Sequence, residues 1–209
     1  MESMYWYQWF SLAALLVCLG TLLLYLIRLI RLGKPTDYSK PLNSPAKAMP
    51  YAFIGAMSPR KKESAYLHLP TYTAGIVYHL GTFLSVTLFI LILFRVSTAE
   101  WMNWSFAGFL IISGFSGFGI LIKRMSKKNM RLLSNPDDYA SNLLVTIFQL
   151  LTAATLINPL LQPAYFVFSG ILLLYIPLGK LRHMVYFFAA RYHLGFFFGW
   201  RGVWPPKQS

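Results

Sequence analysis

Four histidines are the residues of this chain whose type and spacing could support chemistry. They are the only imidazoles among the 209 residues, and they form an early and a late couple: His68 with His79, and His183 with His193. Imidazole nitrogens are common metal ligands. Ionisable side chains inside apolar segments are rare and are treated as functional by default. The two couples are therefore the first candidates for a binding site.

A metal bound by these histidines must need few other protein ligands. Zinc prefers four tetrahedral N, S or O ligands, and no cluster of cysteines or carboxylates lies near the histidines. An iron porphyrin already supplies four equatorial nitrogens and needs only two axial ligands. Two histidine pairs therefore predict two haems of the b type. Covalent attachment to this chain is excluded, because the sequence has no Cys-x-x-Cys-His segment.

Five apolar segments must position these histidines. The chain is 56% hydrophobic and 12% charged, whereas a soluble domain carries about 25% charged residues. Each segment reaches the roughly 20 residues that a helix needs to cross a hydrocarbon core, and long uninterrupted runs exclude the strands of a membrane barrel. The sequence predicts an all-α membrane bundle in one domain over residues 1–209. Its five transmembrane helices are expected at about 5–27, 71–94, 101–122, 139–161 and 164–190.

Nearly all the positive charge lies on one side of this predicted bundle. The formal net charge is +13, and Arg95 is the one basic residue, of 19, outside the ranges 28–63, 123–131 and 180–207. The positive-inside rule therefore places the N-terminus outside and the C-terminus in the cytoplasm. Because the charge follows the topology, it does not indicate a nucleic-acid partner. It does favour attraction to anionic lipid headgroups in the surrounding bilayer.

The cytoplasmic loop predicted over residues 33–63 contains five prolines. Prolines scattered in this way oppose a regular helix. The loop is either a simple connector or a docking surface for a soluble partner. In the third span, the run SGFSGFG at 113–119 favours close helix packing in lipid, and room for a planar cofactor is the alternative.

The two histidine couples can meet at matching depths in the predicted bundle. The second span enters from the cytoplasm and the fifth returns to it, so the two helices are antiparallel. At 1.5 Å per residue, the early couple spans about 16.5 Å and the late couple about 15 Å. Measured from the outer ends of their spans, His79 and His183 lie at similar depths, about 24 and 28 Å. The geometry predicts that His79 pairs with His183 and His68 with His193.

Two basic residues next to the late couple have two possible roles. Arg182 directly precedes His183, and Lys180 lies two residues before Arg182. Their charges could offset the anionic propionates of a haem. Anchoring of the span at the cytoplasmic interface explains them equally well.

The two histidine-bearing segments resemble one family. The segment HLPTYTAGIVYHLG, which opens the second span, and IPLGKLRH, late in the fifth, are similar to the cytochrome b (gamma) subunit of respiratory nitrate reductase. Relatives include membrane subunits of heterodisulfide-reductase-like and sulfite-reduction-associated complexes. The layout is similar over nearly the whole chain. The family's last histidine follows at a longer interval than His193 does here.

The resemblance implies a function in electron transfer. In that family two stacked haems lie between membrane quinol and a cytoplasmic iron–sulfur subunit. Carried over, His79 and His183 would hold the haem distal to that partner, and His68 and His193 the proximal one. The single cysteine, Cys18, cannot hold an iron–sulfur cluster, so the clusters and the terminal chemistry would belong to the partner. The implied location is the cytoplasmic membrane of a prokaryote.

The resemblance also suggests where quinol is oxidised. Quinol docks beside the distal haem, towards the outer face, and Glu100 is the one carboxylate that this chain offers there. A carboxylate at that mouth can accept the protons that quinol oxidation releases, which would make this chain the quinol-oxidising or quinone-reducing subunit of an oxidoreductase. The alternative is a membrane anchor or a small transporter whose histidines ligate nothing.

Overall fold

Helices make up most of the described part of the chain. A computed structural model describes residues 4–33, 38–58 and 68–206, and no strand occurs among them. Parts of the loop predicted at 33–63 lie outside the described residues. Three 3₁₀ turns, Gly55–Met57, Pro159–Leu161 and Lys180–Arg182, separate some of the helices. The α-helices are α1 Trp6–Leu32, α2 Pro45–Phe53, α3 Leu69–Leu93, α4 Glu100–Ser126, α5 Lys128–Leu132, α6 Pro136–Ile157, α7 Gln162–Tyr175 and α8 His183–Trp200.

Four of these helices are long and apolar enough to cross a membrane: α1, α3, α4 and α6. They correspond to the first four predicted spans. The all-α fold is thereby confirmed among the described residues, and the length and apolar composition of the helices are consistent with a multi-pass membrane protein. The fifth predicted span differs from the structure, because it consists of α7 and α8, two helices separated by a break. The count of spans is therefore four, or five if the broken pair crosses once.

The break in the fifth segment has a local cause. Proline at position 177 cannot donate a backbone hydrogen bond, and its ring clashes with the carbonyl four residues earlier in a helix. The backbone instead turns, with the N–H groups of Leu178 and Gly179 donating to the Tyr175 carbonyl at 3.0 and 2.9 Å. A helix extending over 164–190 without interruption was therefore the wrong expectation.

The chain divides into two compact units. The first unit is Met1–Cys18 with Pro70–Leu181, and the second is Leu19–Leu69 with Arg182–Ser209. The first unit contains an aromatic core in which the rings of Phe148 and Tyr165 stack at 6.0 Å. Both rings contact Phe89, at 6.5 and 6.2 Å. This core joins α3, α6 and α7.

Small residues of α4 allow close helix packing in the first unit. Gly114 and Gly117 are buried, and a Cβ added to Gly114 would come within 2.6 Å of the Leu150 side chain. A Cβ on Gly117 would collide with Tyr78 and come within 2.8 Å of the Thr146 hydroxyl. Helices in lipid approach closely through such residues. At these two glycines, the small residues of the run at 113–119 therefore serve helix packing and leave no room for a planar cofactor.

Buried polar side chains also join α3 to α4 and α6 through hydrogen bonds. The fully buried Gln149 of α6 donates from Nε2 to the Tyr78 carbonyl at 3.0 Å and to the Thr82 hydroxyl at 2.8 Å. Ser113 of α4 donates to the Val77 carbonyl at 3.0 Å. Hydrogen bonds between membrane helices are each worth about 1 kcal/mol. These hydrogen bonds therefore fix the register of α3 against α4 and α6.

In the second unit, α2 packs against α8 through small residues on both helices. Ala48 and Ala52 of α2 are fully buried, and they face Gly199 and Gly195 of α8 respectively. The two alanines of α2 and the two glycines of α8 each have the small-xxx-small spacing that lets helix backbones approach each other closely. The two helices run antiparallel, since Phe53 at the end of α2 contacts Phe187 near the start of α8.

The prolines of the cytoplasmic segment do not prevent α2. Pro45 occupies the first turn, where a helix needs no backbone donor. The Ser44 side chain caps the helix by accepting from the Ala46 N–H at 3.3 Å. Pro50 lies inside the helix and removes one backbone hydrogen bond. Packing of α2 on α8 compensates for that loss, so the expectation of an irregular loop was wrong for Pro45–Phe53.

Candidate functional site

His79 is presented on the surface of α3 in the first unit. Its Nδ1 lies 2.7 Å from the Gly75 carbonyl, so Nδ1–H donates and Nε2 carries the lone pair in that tautomer. Metal-bound histidines commonly use the same arrangement, in which the second nitrogen's hydrogen bond fixes the ring. The ring is exposed. His79 therefore fits an axial ligand to a haem.

The helix surface next to His79 is compatible with a large planar group. Gly75 lies one turn earlier, on the same face of α3. A Cβ added to it would meet no atom within 4 Å among the described residues. A glycine at this point keeps the helix surface low beside the imidazole. The residues around His79 thus leave room for a porphyrin edge.

His68 and His183 lie at the starts of their helices. His68 is an exposed turn residue directly before α3, and His183 is the exposed first residue of α8. The helical distance from Ala164 to His183 no longer applies, because the break between α7 and α8 interrupts it. The predicted match in depth compared one helical distance for His79 with one for His183, and the distance for His183 is no longer valid. The pairings His79–His183 and His68–His193 remain predictions.

His193 contacts the end of α1. Its Nε2 lies 3.3 Å from the Leu29 carbonyl, and a Cβ on Gly33 would collide with its half-buried ring. The Leu29 carbonyl also accepts from the Gly33 N–H at 3.1 Å, so His193 adds a second contact to this end of α1. In this conformation His193 does not fit a haem ligand, because its Nε2 is engaged by a backbone carbonyl.

The two predicted propionate partners have other contacts. The Lys180 ammonium is paired with the Asp138 carboxylate, and Arg124 lies 3.2 Å from the same oxygen. The guanidinium of Arg182 lies over the Tyr186 ring, 6.0 Å from its centroid. The charge of Lys180 is therefore already offset by a protein carboxylate, whereas Arg182 is exposed.

Asp138 is a buried hub that the sequence interpretation missed. Its side chain is 3% exposed and accepts from the Asn135 N–H at 3.0 Å, while Asn135 accepts from the Asp138 N–H. This capping box opens α6. The segment NPDD at 135–138 carries the sequence signal for the cap, but nothing local indicates the pairing with Lys180.

Glu100 lies one turn before Asn103 of α4, a residue that lines a polar cavity, but does not line that cavity itself. It is the exposed first residue of α4. The cavity, of about 400 Å³, lies in the first unit at the end that contains the α3–α4 connection, and several donors line it. Arg95 donates to the Gln8 side chain across 3.4 Å and has a φ of 56°, a conformation uncommon for residues other than glycine. The polar lining side chains include Gln8, Arg95, Thr98, Asn103, Thr155 and Gln162.

Metal-binding groups and similar proteins give no further information about the candidate site. Among the described residues, no group of three or more His, Cys, Asp or Glu side chains could hold a metal ion. A haem iron needs only two axial side chains, so this result bears on zinc-type sites alone. No family model, curated protein or solved structure matches the chain.

Proposed function

We propose that this chain is the haem-carrying membrane subunit of a respiratory oxidoreductase in the cytoplasmic membrane of a prokaryote. It would transfer electrons between membrane quinol or quinone and a cytoplasmic iron–sulfur partner subunit. The observation that carries the proposal is the 2.7 Å contact between His79 Nδ1 and the Gly75 carbonyl, which engages Nδ1 and leaves Nε2 as a ligand atom. Exposure of that ring on an apolar helix has no evident structural purpose.

The residues of the chain would act as holders of two haems of the b type. His79 and His183 are the proposed axial ligands of the haem distal to the partner. His68 and His193 are proposed for the proximal one, which requires His193 to give up its bond to Leu29. When bound, haem b supplies reversible one-electron transfer, at a potential set by its ligands and surroundings.

Quinol is proposed to bind at the end of the first unit that contains Glu100. The headgroup oxygens would find donors in Arg95, Asn103 and Gln162, which line the cavity. Glu100 lies one turn before Asn103 on α4, and residues three apart in a helix are neighbours. Its carboxylate can then accept protons as quinol is oxidised.

A second candidate function is a membrane anchor or small transporter with histidines that ligate nothing. The bond of His193 to the end of α1 favours it, since this ring already has a structural role. The two candidates differ in the effect of His193→Ala. A haem ligand's loss lowers the haem content, whereas loss of a structural contact with α1 lowers only the thermal stability.

The deciding experiment is a reduced-minus-oxidised visible spectrum with haem quantification on the purified chain. We expect b-type bands, and we expect His79→Ala to lose one haem because a five-coordinate haem is bound more weakly. Leu80→Ala, at a neighbouring exposed position of α3, is the matched control and should keep both haems. A colourless wild-type protein, or an unchanged haem content in His79→Ala, contradicts the proposal.

A further inference from the structure

Helix α6 buries its polar side chains and exposes apolar ones. The buried polar residues, called here the polar side of α6, are Asp138, Ser141, Thr146, Gln149, Thr152 and Thr155. The exposed residues between them are Leu143 and Ile147. Polar groups inside membrane helices are costly and mark substrate pathways and proton relays. From Asp138 to Thr155 the polar side covers about 25 Å of helix, close to the roughly 30 Å of a hydrocarbon core.

An acid lies next to the polar side where α6 begins. The Tyr175 hydroxyl donates to the Asp137 carboxylate and lies 3.1 Å from the Ser141 hydroxyl. Asp137 is partly exposed, so it can exchange protons with the solution. The neighbouring carboxylate of Asp138 is already paired with two cations. Asp137, Tyr175 and Ser141 therefore form a hydrogen-bonded entry to the polar side.

Side chains of α3 extend the polar side in the middle of the first unit. The Tyr78 hydroxyl lies 3.1 Å from Thr146 Oγ1, and Gln149 Nε2 donates to Thr82 Oγ1 at 2.8 Å. Residue numbers rise together across these contacts, so α3 and α6 run parallel. Ser85 follows Thr82 by three residues, about one turn. It therefore lies level with the turn of α6 that follows Gln149.

Two fully buried polar atoms in this layer have no hydrogen-bond partner among the described residues. They are Ser85 Oγ and Gln149 Oε1. A buried acceptor or donor left in this way costs about 1–3 kcal/mol, and buried water commonly completes such sites. The register of α3 against α6 needs only the donors on Gln149 Nε2. Helix packing therefore does not account for these two atoms.

Successive polar groups lie within reach of one another through water. The longest interval on the polar side contains Asn142, whose Oδ1 accepts from Thr146 at 3.4 Å. The later members follow at intervals of three residues, a rise of about 4.5 Å, and one bridging water joins oxygens up to about 5.5 Å apart. Thr152 Oγ1 lies 3.5 Å from the Tyr165 hydroxyl, and Thr155 lines the polar cavity. The series thus connects the entry at Asp137 with the cavity.

We propose that the polar side of α6 conducts protons between Asp137 and the cavity, with water bound at Ser85 Oγ and Gln149 Oε1. A proton that enters at Asp137 passes to the first hydroxyl, which gives its own proton to the next oxygen, and one proton leaves into the cavity. The hydroxyls then rotate back to their first acceptors, so no group stays ionised. In the proposed function this route would carry the protons of quinone chemistry, but the route itself requires neither haem nor quinone.

The chemistry of the polar side favours a proton over a metal cation. Beyond Asp138 the described residues of α3 and α6 include no Asp or Glu, so no carboxylate would offset the charge of a bound cation. Proton transfer needs only a connected series of hydrogen bonds. Arg95 lines the cavity, and a fixed positive charge is a barrier to protons. Arg95 therefore limits passive flow through the route.

The first test measures proton flux into vesicles that contain the full-length chain. A potassium gradient with valinomycin sets the membrane potential, and pyranine inside the vesicles reports the pH. Ser85→Ala should lose most of the flux that the wild type shows above protein-free vesicles. It removes a hydroxyl without a partner among the described residues, so a purely structural role predicts unchanged flux. The control is Thr87→Val, which removes an exposed hydroxyl that donates to the Phe83 carbonyl of the same helix.

Wild-type flux in Ser85→Ala would overturn the proposal, as would wild-type vesicles no faster than protein-free ones. Equal losses in Ser85→Ala and Thr87→Val would overturn it too, because the effect would then not belong to the buried hydroxyl. Sodium flux as fast as proton flux would contradict the assignment to protons. Thermal unfolding checks that both variants fold, and haem content is measured in parallel. Loss of flux with unchanged haem content separates this proposal from the haem assignment.

The second test examines the cavity as the other end of the route. Arg95→Asn removes the positive charge, and asparagine is among the residues that tolerate the backbone conformation found here. We expect this variant to conduct protons faster than the wild type, and Ser85→Ala in the same chain to abolish the increase. A flux that does not rise in Arg95→Asn would show that protons do not leave through the cavity, and would overturn the proposed route.

Discussion

Asp138 illustrates how much a single side chain can organise in this chain. Its carboxylate caps α6 through Asn135 and is paired with Arg124 and Lys180. It thereby links α4, the start of α6 and the turn after α7. Both cations are partly exposed, at 34% and 51%, so water screens their attraction to the carboxylate. The buried acceptor itself is the costly group to leave without donors.

We expect Asp138→Ala to destabilise the first unit by about 1–3 kcal/mol, through loss of the cap and of the charged hydrogen bonds. Asp138→Asn is the matched comparison, since it retains the side-chain oxygen that accepts from Asn135 and loses only the charge. Thermal unfolding in detergent measures the order wild type, Asn, Ala. An alanine variant as stable as the wild type would remove Asp138 from this role.

The proposed role of Glu100 in quinol oxidation leads to a prediction for a single substitution. If its carboxylate accepts protons from quinol, Glu100→Gln slows haem reduction by quinol, on the order of tenfold to a hundredfold. Both haems should remain bound. Stopped-flow spectra at several pH values measure the rate. Asn103→Ala, which alters the cavity lining and leaves the carboxylate, should weaken quinol binding and leave the saturated rate higher than that of Glu100→Gln. Unchanged kinetics in Glu100→Gln would exclude this carboxylate.

The candidate residues were partly predictable. The histidines stand out because they are the only imidazoles in an apolar chain, and type and rarity are properties of sequence. The contact of His193 with Leu29 joins residues 164 positions apart, and the pairing of Lys180 with Asp138 joins residues 42 apart. Such contacts depend on tertiary packing, so no local pattern announces them.

Among the elements, helices α1, α3, α4 and α6 follow from apolar length alone. Their bounds lie within a few residues of those predicted. The fifth segment was mispredicted because its apolar content outweighed the turn signal of Pro177 and Gly179. Helix α2 was missed for the opposite reason: prolines were counted without regard to position, although Pro45 lies where a helix tolerates it.

The packing of α2 on α8 can be tested with glycine variants. A Cβ on Gly199 would come within 2.7 Å of the Ala48 Cβ, so Gly199→Leu should force the helices apart and cost about 1–3 kcal/mol. Gly20→Leu is the control, since a Cβ there meets no described atom within 4 Å. Limited proteolysis near Gly55–Met57 and thermal unfolding measure the difference. Equal behaviour of the two variants would argue against tight α2–α8 packing.

For the whole molecule, the membrane character is supported by four helices apolar enough to span, and the orientation remains a prediction from charge. We expect a reporter fused after residue 98 to lie outside and one fused after residue 206 to lie in the cytoplasm. Alkaline phosphatase is active only outside, and green fluorescent protein folds only inside. Two fusions reporting the same side would show that the segment from α4 to α8 crosses the membrane an even number of times, against the three crossings expected.

The make-up of the second unit has a consequence for biogenesis. Helix α2 leaves the ribosome well before α8, because residues 70–181 of the first unit lie between the two parts of the second unit. The face of α2 that carries Ala48 and Ala52 therefore has no packing partner until Gly195 and Gly199 of α8 have been synthesised. Chains fold progressively during synthesis, so membrane-inserted first-unit helices would precede completion of the second unit. Helix α8 thus closes a surface that was translated well before it, and chains shortened before α8 would present that surface to quality-control proteases.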